Sequence, residues 1–247
     1  MSSGLFISIF GIVSFSPFLS FQEVTDEAEE ISVKPLPKGQ LFVAASTGNI
    51  AALRSAIAAR MDLEILNKKQ QTPLMLAVLG DHVEAVELLA EAGANLDGAD
   101  IDDKTPLSTA IFKGNVIMAE KLIEAKASLT KKDKKGTYPI HQAAYKNQAE
   151  ILELIVKAGA NLEERDSFGN TALLTAAQNR NLESLQFLLD AKASVFAVDK
   201  KGKSALEHAT SSGNDDVIRV ITEALRDSAD GKSTNVRTLR ISCISIA

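Results

Sequence analysis

Apolar residues between positions 136 and 169 follow two short helical periods that are separated by a turn. Pro139 stands at the start of the first period, which contains Ala143 and Ala144, and a turn is predicted near Asn147. The second period places apolar residues on one helical face, namely Ile151, Leu152, Leu154, Ile155 and Val156. A helical hairpin of this size is too small to bury its own apolar stripe, so it requires neighbours of the same kind.

The same pattern recurs along the chain with a period of 33 residues. An alanine of the first helix is found in six places: Ala44, Ala77, Ala110, Ala143, Ala176 and Ala209. An aliphatic residue precedes it by three positions each time: Leu41, Leu74, Leu107, Ile140, Leu173 and Leu206. Six units in one phase predict a repeat solenoid, in which each unit buries its apolar face against the next.

The residues that open and close the units identify the kind of repeat. Units two to six open with Thr72, Thr105, Tyr138, Thr171 and Ser204, and proline follows the first three of these. The linkers carry a polar turn residue in phase, at Asn67, Asp100, Asp133, Asp166 and Asp199. In these features the chain resembles the ankyrin repeat family, whose units of about 33 residues open with T-P-L-H-x-A.

The resemblance covers residues 39–228 and implies an all-α fold. It implies an ankyrin-repeat solenoid of stacked helix-turn-helix units with β-hairpin-like connecting turns. Several turn positions lack the glycine of the pattern: Gln70 and Asp103 in the linkers, and Asp81, Asn147 and Arg180 between the helices. We expect looser turns at these positions.

Two segments precede the repeats and one follows them. Residues 1–21 are strongly apolar, but they lack a basic n-region and a cleavage motif, and serines and Pro17 interrupt them. This segment is either a tail or a signal or membrane anchor formed by residues 5–21. Residues 22–38 are predicted to be an acidic linker, and residues 229–247 a C-terminal tail.

Composition narrows the classes of function. A formal net charge of −5 argues against a general nucleic-acid-binding surface, and Asp133 interrupts the lysine run at residues 131–135. Cys243 is the only cysteine, which excludes intrachain disulfides and cysteine-based zinc sites. We therefore expect a cytoplasmic protein, or a membrane-associated or secreted one if residues 1–21 act as an anchor or signal.

Chemistry-bearing motifs are missing from the sequence. His82, His141 and His208 fall in different units at different phases, so no metal site is expected. No phosphate-binding glycine loop or nucleophile elbow is present, so we predict no cofactor, no catalytic residue and no enzyme activity. The resemblance implies a structural hydrogen-bonding role for His141, the fourth residue of the opening motif, whereas His82 and His208 are expected to be solvated.

A candidate binding surface emerges from one phase of the repeat. The seventh residue after each opening position is Leu79, Phe112, Tyr145, Gln178 and Ser211 in turn, so three bulky residues precede two polar ones. The resemblance implies that first helices and hairpin tips form a concave face that contacts partners. The predicted partner-binding residues on it are Leu79, Ile101, Phe112, Lys113, Lys134, Lys135, Tyr145, Lys146 and Phe168.

Aromatic anchors with charges at the rim are the usual anatomy of an interface, and lysines favour an acidic, partly apolar protein or peptide as the partner. The alternative interpretation is that Phe112 and Tyr145 pack along their own helices. We therefore expect a non-catalytic protein–protein interaction module: a scaffold, adaptor or inhibitor. The alternatives are a membrane-tethered adaptor and the regulatory subunit of an enzyme whose catalytic site is on another chain.

Overall fold

A computed structural model describes residues 37–229 of the chain. The apolar segment 1–21, nearly all of the linker 22–38 and all but the first residue of the tail 229–247 lie outside those residues. The described part contains twelve α-helices and no strands. The helices are α1 (Lys38–Thr47), α2 (Ile50–Ala58), α3 (Pro73–Leu79), α4 (Val83–Glu91), α5 (Pro106–Lys113), α6 (Val116–Glu124), α7 (Pro139–Tyr145), α8 (Ala149–Lys157), α9 (Ala172–Gln178), α10 (Leu182–Asp190), α11 (Ala205–Ser212) and α12 (Asp215–Ala229).

The helices are arranged as two layers of a stack of six hairpins. Each odd-numbered helix, here called an inner helix, packs on the next odd-numbered helix, and the even-numbered outer helices do the same. The core runs continuously through the stack, and in α5 it is formed by Leu107, Ala110 and Ile111, all at most 1% exposed. This architecture confirms the predicted all-α repeat solenoid.

The inner helices begin where the opening residues predict. The hydroxyls of Thr72, Thr105, Thr171 and Ser204 each accept a hydrogen bond from the backbone N–H three residues later. This cap satisfies one of the amide donors that a helix start leaves without a partner. Tyr138 is the exception, since its side chain makes no such bond at the start of α7.

The turns between units are held by the polar residues that recur in phase. Asp100 Oδ1 accepts from the backbone N–H groups of Asp102, at 2.8 Å, and Lys104, at 3.0 Å. Equivalent bonds form at the other four linkers. In the last of them one antiparallel bridge joins Val198 and Ser204, which leaves the turn hairpin-like.

The expectation of looser turns is wrong for the two linker positions that lack glycine. Gln70 and Asp103 adopt left-handed backbone angles, with φ of 57° and 55°, as Gly136 does with φ of 69°. The amide of each also donates to the linker residue three positions earlier, at 2.9 Å for Gln70 and Asp103. The stabilised hairpin therefore imposes the conformation that glycine would adopt more readily.

The loops after the outer helices join neighbouring units through one recurring hydrogen bond. A carboxylate of one unit accepts from a backbone N–H of the next: Glu64 from Asn95 at 2.8 Å, Asp97 from Ser128 at 2.8 Å and Glu163 from Ser194 at 2.7 Å. Thr130 occupies this position between units three and four. Within residues 37–229 it makes no bond to Asn161. An open groove of about 450 Å³ lies between the outer helices α6 and α8 of the same two units.

Substituting glutamate for Thr130 should supply the missing carboxylate. We expect Thr130→Glu to raise the free energy of unfolding by about 0.5–1.5 kcal/mol, the usual net contribution of one hydrogen bond. Equilibrium urea unfolding measures the change, and Thr130→Met is the control for the added side-chain length without an oxygen acceptor. Equal stability of the Glu and Met variants would contradict this role for the carboxylate.

Candidate partner-binding surface

Three large side chains form an exposed row along the last turns of α3, α5 and α7. The exposed fractions are 42% for Leu79, 65% for Phe112 and 57% for Tyr145. Because these three inner helices pack side by side and the residues share one phase, we call the row the ridge. Gln178 and Ser211 continue the phase as exposed polar residues in α9 and α11, so the ridge is confined to units two to four.

Helical periodicity explains why the ridge residues face solvent. In α5 the residues Leu107, Ala110 and Ile111 turn to the core, which places Phe112 on the opposite side of the helix. The same holds for Tyr145, which follows the buried residues Ala143 and Ala144 in α7. Large apolar side chains exposed in a contiguous row are typical of interaction surfaces.

Lys146 lies against the ridge. Its Nζ atom is 3.8 Å from the centroid of the Phe112 ring, and the Nζ atom of Lys104 is 6.0 Å from the same centroid. A cation at the face of an aromatic ring is attracted by the ring quadrupole. The structure therefore brings an aromatic group and a positive charge together at the centre of the predicted surface.

Lys113 is held differently from Lys146. Its ammonium donates to the Leu79 carbonyl at 2.9 Å and to the Asp81 carboxylate of the preceding unit at 2.5 Å. The hydrogen bonds from Lys113 and Asn115 hold the pKa of Asp81 below its ordinary value. Part of the positive charge predicted at the rim is thus neutralised within the chain.

The other predicted residues lie on the hairpin tips and form a second row beside the inner helices. Ile101 is 54% exposed and Phe168 is 65% exposed, each in a turn held by its linker aspartate. Lys134 donates to the Ile101 carbonyl and pairs with Asp102 at 3.3 Å. Lys135 follows it as an exposed residue.

Two exposed apolar residues near the last tip were missed by sequence reasoning. Phe196 is 66% exposed and Val198 is 41% exposed. Phe196 occupies the phase of Glu64, Asp97, Thr130 and Glu163, where each of units one to four has a polar residue. A comparison of residues at that phase would have found the aromatic group.

The histidines have structural positions. The Nε2 atom of His141 donates to the Asn170 carbonyl at 2.8 Å, while its Nδ1 atom is buried without a hydrogen-bond partner. His208 was expected to be solvated, but it is buried with its Nε2 atom 3.1 Å from the Asp199 carboxylate. Its partner is the linker residue nine positions earlier, a contact that the hairpin creates.

Burial also changes the acid–base behaviour of His141. Desolvation lowers the pKa of His141 from its ordinary value, although the Asn170 carbonyl and the charge of Asp166 act in the opposite direction. The neutral imidazole is therefore the form that the folded chain favours.

Residues 37–229 contain no group of three or more histidine, cysteine, aspartate or glutamate side chains placed to hold a metal ion. None of the twelve helices in this range has the length and apolar character required to span a membrane.

Comparisons with known proteins agree on the architecture. The family model for ankyrin repeats (3 copies) matches residues 41–133 and again residues 134–235. The crystal structure of the ankyrin repeat domain of Bcl-3, described as a unique member of the IkappaB protein family, is 26% identical with a TM-score of 0.69, and the match covers 74% of this chain and 85% of that one. The human ASB11 ankyrin repeat domain is also 26% identical, with a TM-score of 0.64 and coverage of 74% and 82%. Comparison with curated protein sequences gave no match.

Proposed function

Because this chain belongs to the ankyrin repeat family, we propose that it is a non-catalytic module that binds an acidic, partly apolar protein segment on its inner-helix face. In that role it serves as a scaffold, adaptor or inhibitor in the cytoplasm. The partner contacts the ridge formed by Leu79, Phe112 and Tyr145. The tip residues Ile101 and Phe168 and the lysines Lys113, Lys134, Lys135 and Lys146 lie at the rim.

The exposure of the ridge is the observation that carries this proposal. Large apolar side chains are more than 40% exposed in three successive units, although the same helices bury nearly all their other apolar residues. Aromatic side chains contribute strongly to binding when a partner excludes water from them. The interpretation that Phe112 and Tyr145 pack along their own helices is less well supported, because both are more than half exposed.

The charges around the ridge favour an acidic partner. Lys146 and Lys135 make no ion pair with an acidic residue in the described range 37–229, whereas Lys113 and Lys134 do. Carboxylates of a partner would be attracted to the lysines beside the aromatic groups. This attraction favours the correct orientation of the partner and its rapid association. No described residue favours the alternative of a regulatory enzyme subunit, and the anchor hypothesis concerns residues outside the described range.

A peptide selection tests the proposal and does not require the natural partner. A library of random 12-residue peptides displayed on phage is selected on the immobilised full-length protein, and selected peptides are synthesised with a fluorophore. Their affinity is then measured by fluorescence polarisation. We expect Phe112→Ala/Tyr145→Ala to weaken binding by about 30-fold or more, as for interface hot spots.

Phe196→Ala is the matched control, because Phe196 is as exposed as Phe112 but lies away from the ridge phase. Its affinity for the peptides should equal that of the wild type. Thermal unfolding establishes that all variants are folded. Peptides that bind the ridge double variant and the wild type equally would overturn the proposed surface.

A further inference from the structure

The turn between α3 and α4 contains a carboxylate that is bound by the next unit. Asp81 accepts hydrogen bonds from Lys113 Nζ at 2.5 Å and from Asn115 Nδ2 at 2.9 Å. The two donors, a lysine and a side-chain amide, thus converge on one carboxylate across the junction between units two and three.

One unit later the donors are kept but the carboxylate is missing. The residues 33 positions after Asp81, Lys113 and Asn115 are Gly114, Lys146 and Gln148. This combination of a lysine and an amide without an acid occurs at only one of the five junctions. The other four junctions have different sets at these three positions. The sets are Gly48, Gly80 and His82 between units one and two; Asp81, Lys113 and Asn115 between units two and three; Asn147, Asn179 and Asn181 between units four and five; and Arg180, Ser212 and Asn214 between units five and six.

The backbone at Gly114 matches that at Asp81, so the missing side chain leaves a defined place. Gly114 has φ of 70° and Asp81 has φ of 58°, both left-handed. A Cβ atom built at Gly114 would lie 2.9 Å from Gln148 Nε2. The amide nitrogen of Gln148 therefore reaches into the place that a side chain at position 114 would take.

Both donors lack the partner that their counterparts have. Within residues 37–229 the carboxamide nitrogen of Gln148 donates no hydrogen bond, and the carboxamide oxygen, an acceptor, is also without a partner. Lys146 makes no ion pair in that range, and its ammonium group lies over the Phe112 ring instead. The N–H groups of the Gln148 carboxamide and the ammonium group of Lys146 are hydrogen-bond donors from which an anion can accept.

We propose that Lys146 and Gln148 form a carboxylate subsite that binds an aspartate or glutamate side chain of the partner segment. This inference rests on the proposed function and specifies it, because the subsite adjoins Phe112 of the ridge. The ligand is a carboxylate because the equivalent donors one unit earlier bind one. The partner segment is thereby defined as an acidic residue followed or preceded by apolar residues that contact Phe112 and Tyr145.

A double-mutant cycle with the selected 12-residue peptides tests the subsite. Each aspartate or glutamate of a peptide is replaced by asparagine or glutamine, and Lys146 is replaced by Gln in the full-length protein. One peptide carboxylate and Lys146 should each contribute about tenfold to affinity, and the combined change should cost no more than either alone. Lys157→Gln, on the outer helix α8, is the control variant and should bind as the wild type does.

A second variant places a carboxylate of the chain itself in the subsite. Gly114→Asp/Gln148→Asn reproduces the arrangement of Asp81, Lys113 and Asn115. The variant should remain folded, because Asp81 already adopts the same backbone conformation. Affinity for the acidic peptide should fall about tenfold, whereas affinity for the same peptide with its acid neutralised should stay unchanged.

The outcomes separate the subsite from the wider surface. Peptides that depend on Phe112 and Tyr145 but show no coupling between a carboxylate and Lys146 would overturn the subsite and leave the ridge in place. Peptides that depend on neither would overturn both. If Lys146→Gln fails to fold, the Gly114→Asp/Gln148→Asn variant still tests whether the subsite binds a carboxylate of the peptide.

Discussion

Truncation of Leu107 to alanine is expected to lower the free energy of unfolding by roughly 2–5 kcal/mol, the range found for buried leucines. Leu107 is 1% exposed and lies in α5, between α3 and α7. Its removal leaves a cavity at a position where three units meet. Because each unit is stabilised by its neighbours, the loss weakens two junctions at once.

Leu206 provides the matched control for this substitution. It occupies the same phase in the sixth unit, but it is only half-buried. Equilibrium urea unfolding of Leu107→Ala and Leu206→Ala should show a clearly smaller loss for the second variant. Equal losses at the two positions would mean that burial in the stack does not determine the contribution of this leucine.

The second large effect is a loss of stability in mild acid. Burial lowers the pKa of His141 in the folded chain, so below the ordinary histidine pKa of about 6.5 the unfolded chain binds more protons than the folded one. The free energy of unfolding then falls as the pH decreases through this range. The slope attributable to one proton reaches at most about 1.4 kcal/mol per pH unit.

Carboxylates act in a lower range of pH. Hydrogen bonds from backbone amides lower the pKa of Asp199, and bonds from Ser204 lower that of Glu207. Their contributions to the free energy of unfolding are fully present above the ordinary carboxyl pKa of about 4 and are lost only as the pH falls below it. The interval from about pH 6.5 to pH 5 therefore separates the effect of histidine titration on stability from that of these carboxylates.

Urea unfolding at pH 8, 7, 6 and 5.5 measures the effect, with His141→Gln as the comparison. Glutamine keeps a donor for the Asn170 carbonyl but does not titrate. Between pH 6.5 and 5.5 the free energy of unfolding should fall less steeply with decreasing pH for the variant than for the wild type. Near pH 8 the free energy of unfolding of the wild type should not depend on the titration of His141. Parallel curves over the whole range would show that His141 is not responsible.

The repeat period made most of the fold predictable. Each unit repeats the same apolar phase, so six alanines and six aliphatic residues fix where helices pack before any distant contact is considered. Linker residues such as Asp100 and Asp166 were also predictable, because a turn aspartate binds backbone groups only two and four residues away. Local interactions within a periodic pattern are visible in the sequence.

Contacts between units were harder to predict. The pairing of Lys113 with Asp81, and the position of Lys146 over Phe112, each depend on how two units are offset in the stack. Among the nine residues of the candidate surface, the sequence could indicate which belong to the inner helices and tips. It could not show which lysines are already bound by carboxylates of the chain.

The turn conformations of Gln70 and Asp103 illustrate a second limit. Residue type alone favours glycine where φ is positive, and this led to the expectation of looser turns. In the folded chain the linker side chains and neighbouring tips hold the backbone, so a less suitable residue adopts the same geometry. The hydrogen bonds made by the linker residues Asn67 and Asp100 outweighed the conformational preference of these two residue types.

The absent carboxylate at Thr130 also bears on how the ridge is presented. Phe112 belongs to the unit before this junction and Tyr145 to the unit after it, so the spacing of these two rings depends on an interface that lacks this connecting bond. A ligand that contacts both rings would connect units three and four across this junction. Binding of such a ligand would therefore also stiffen the array.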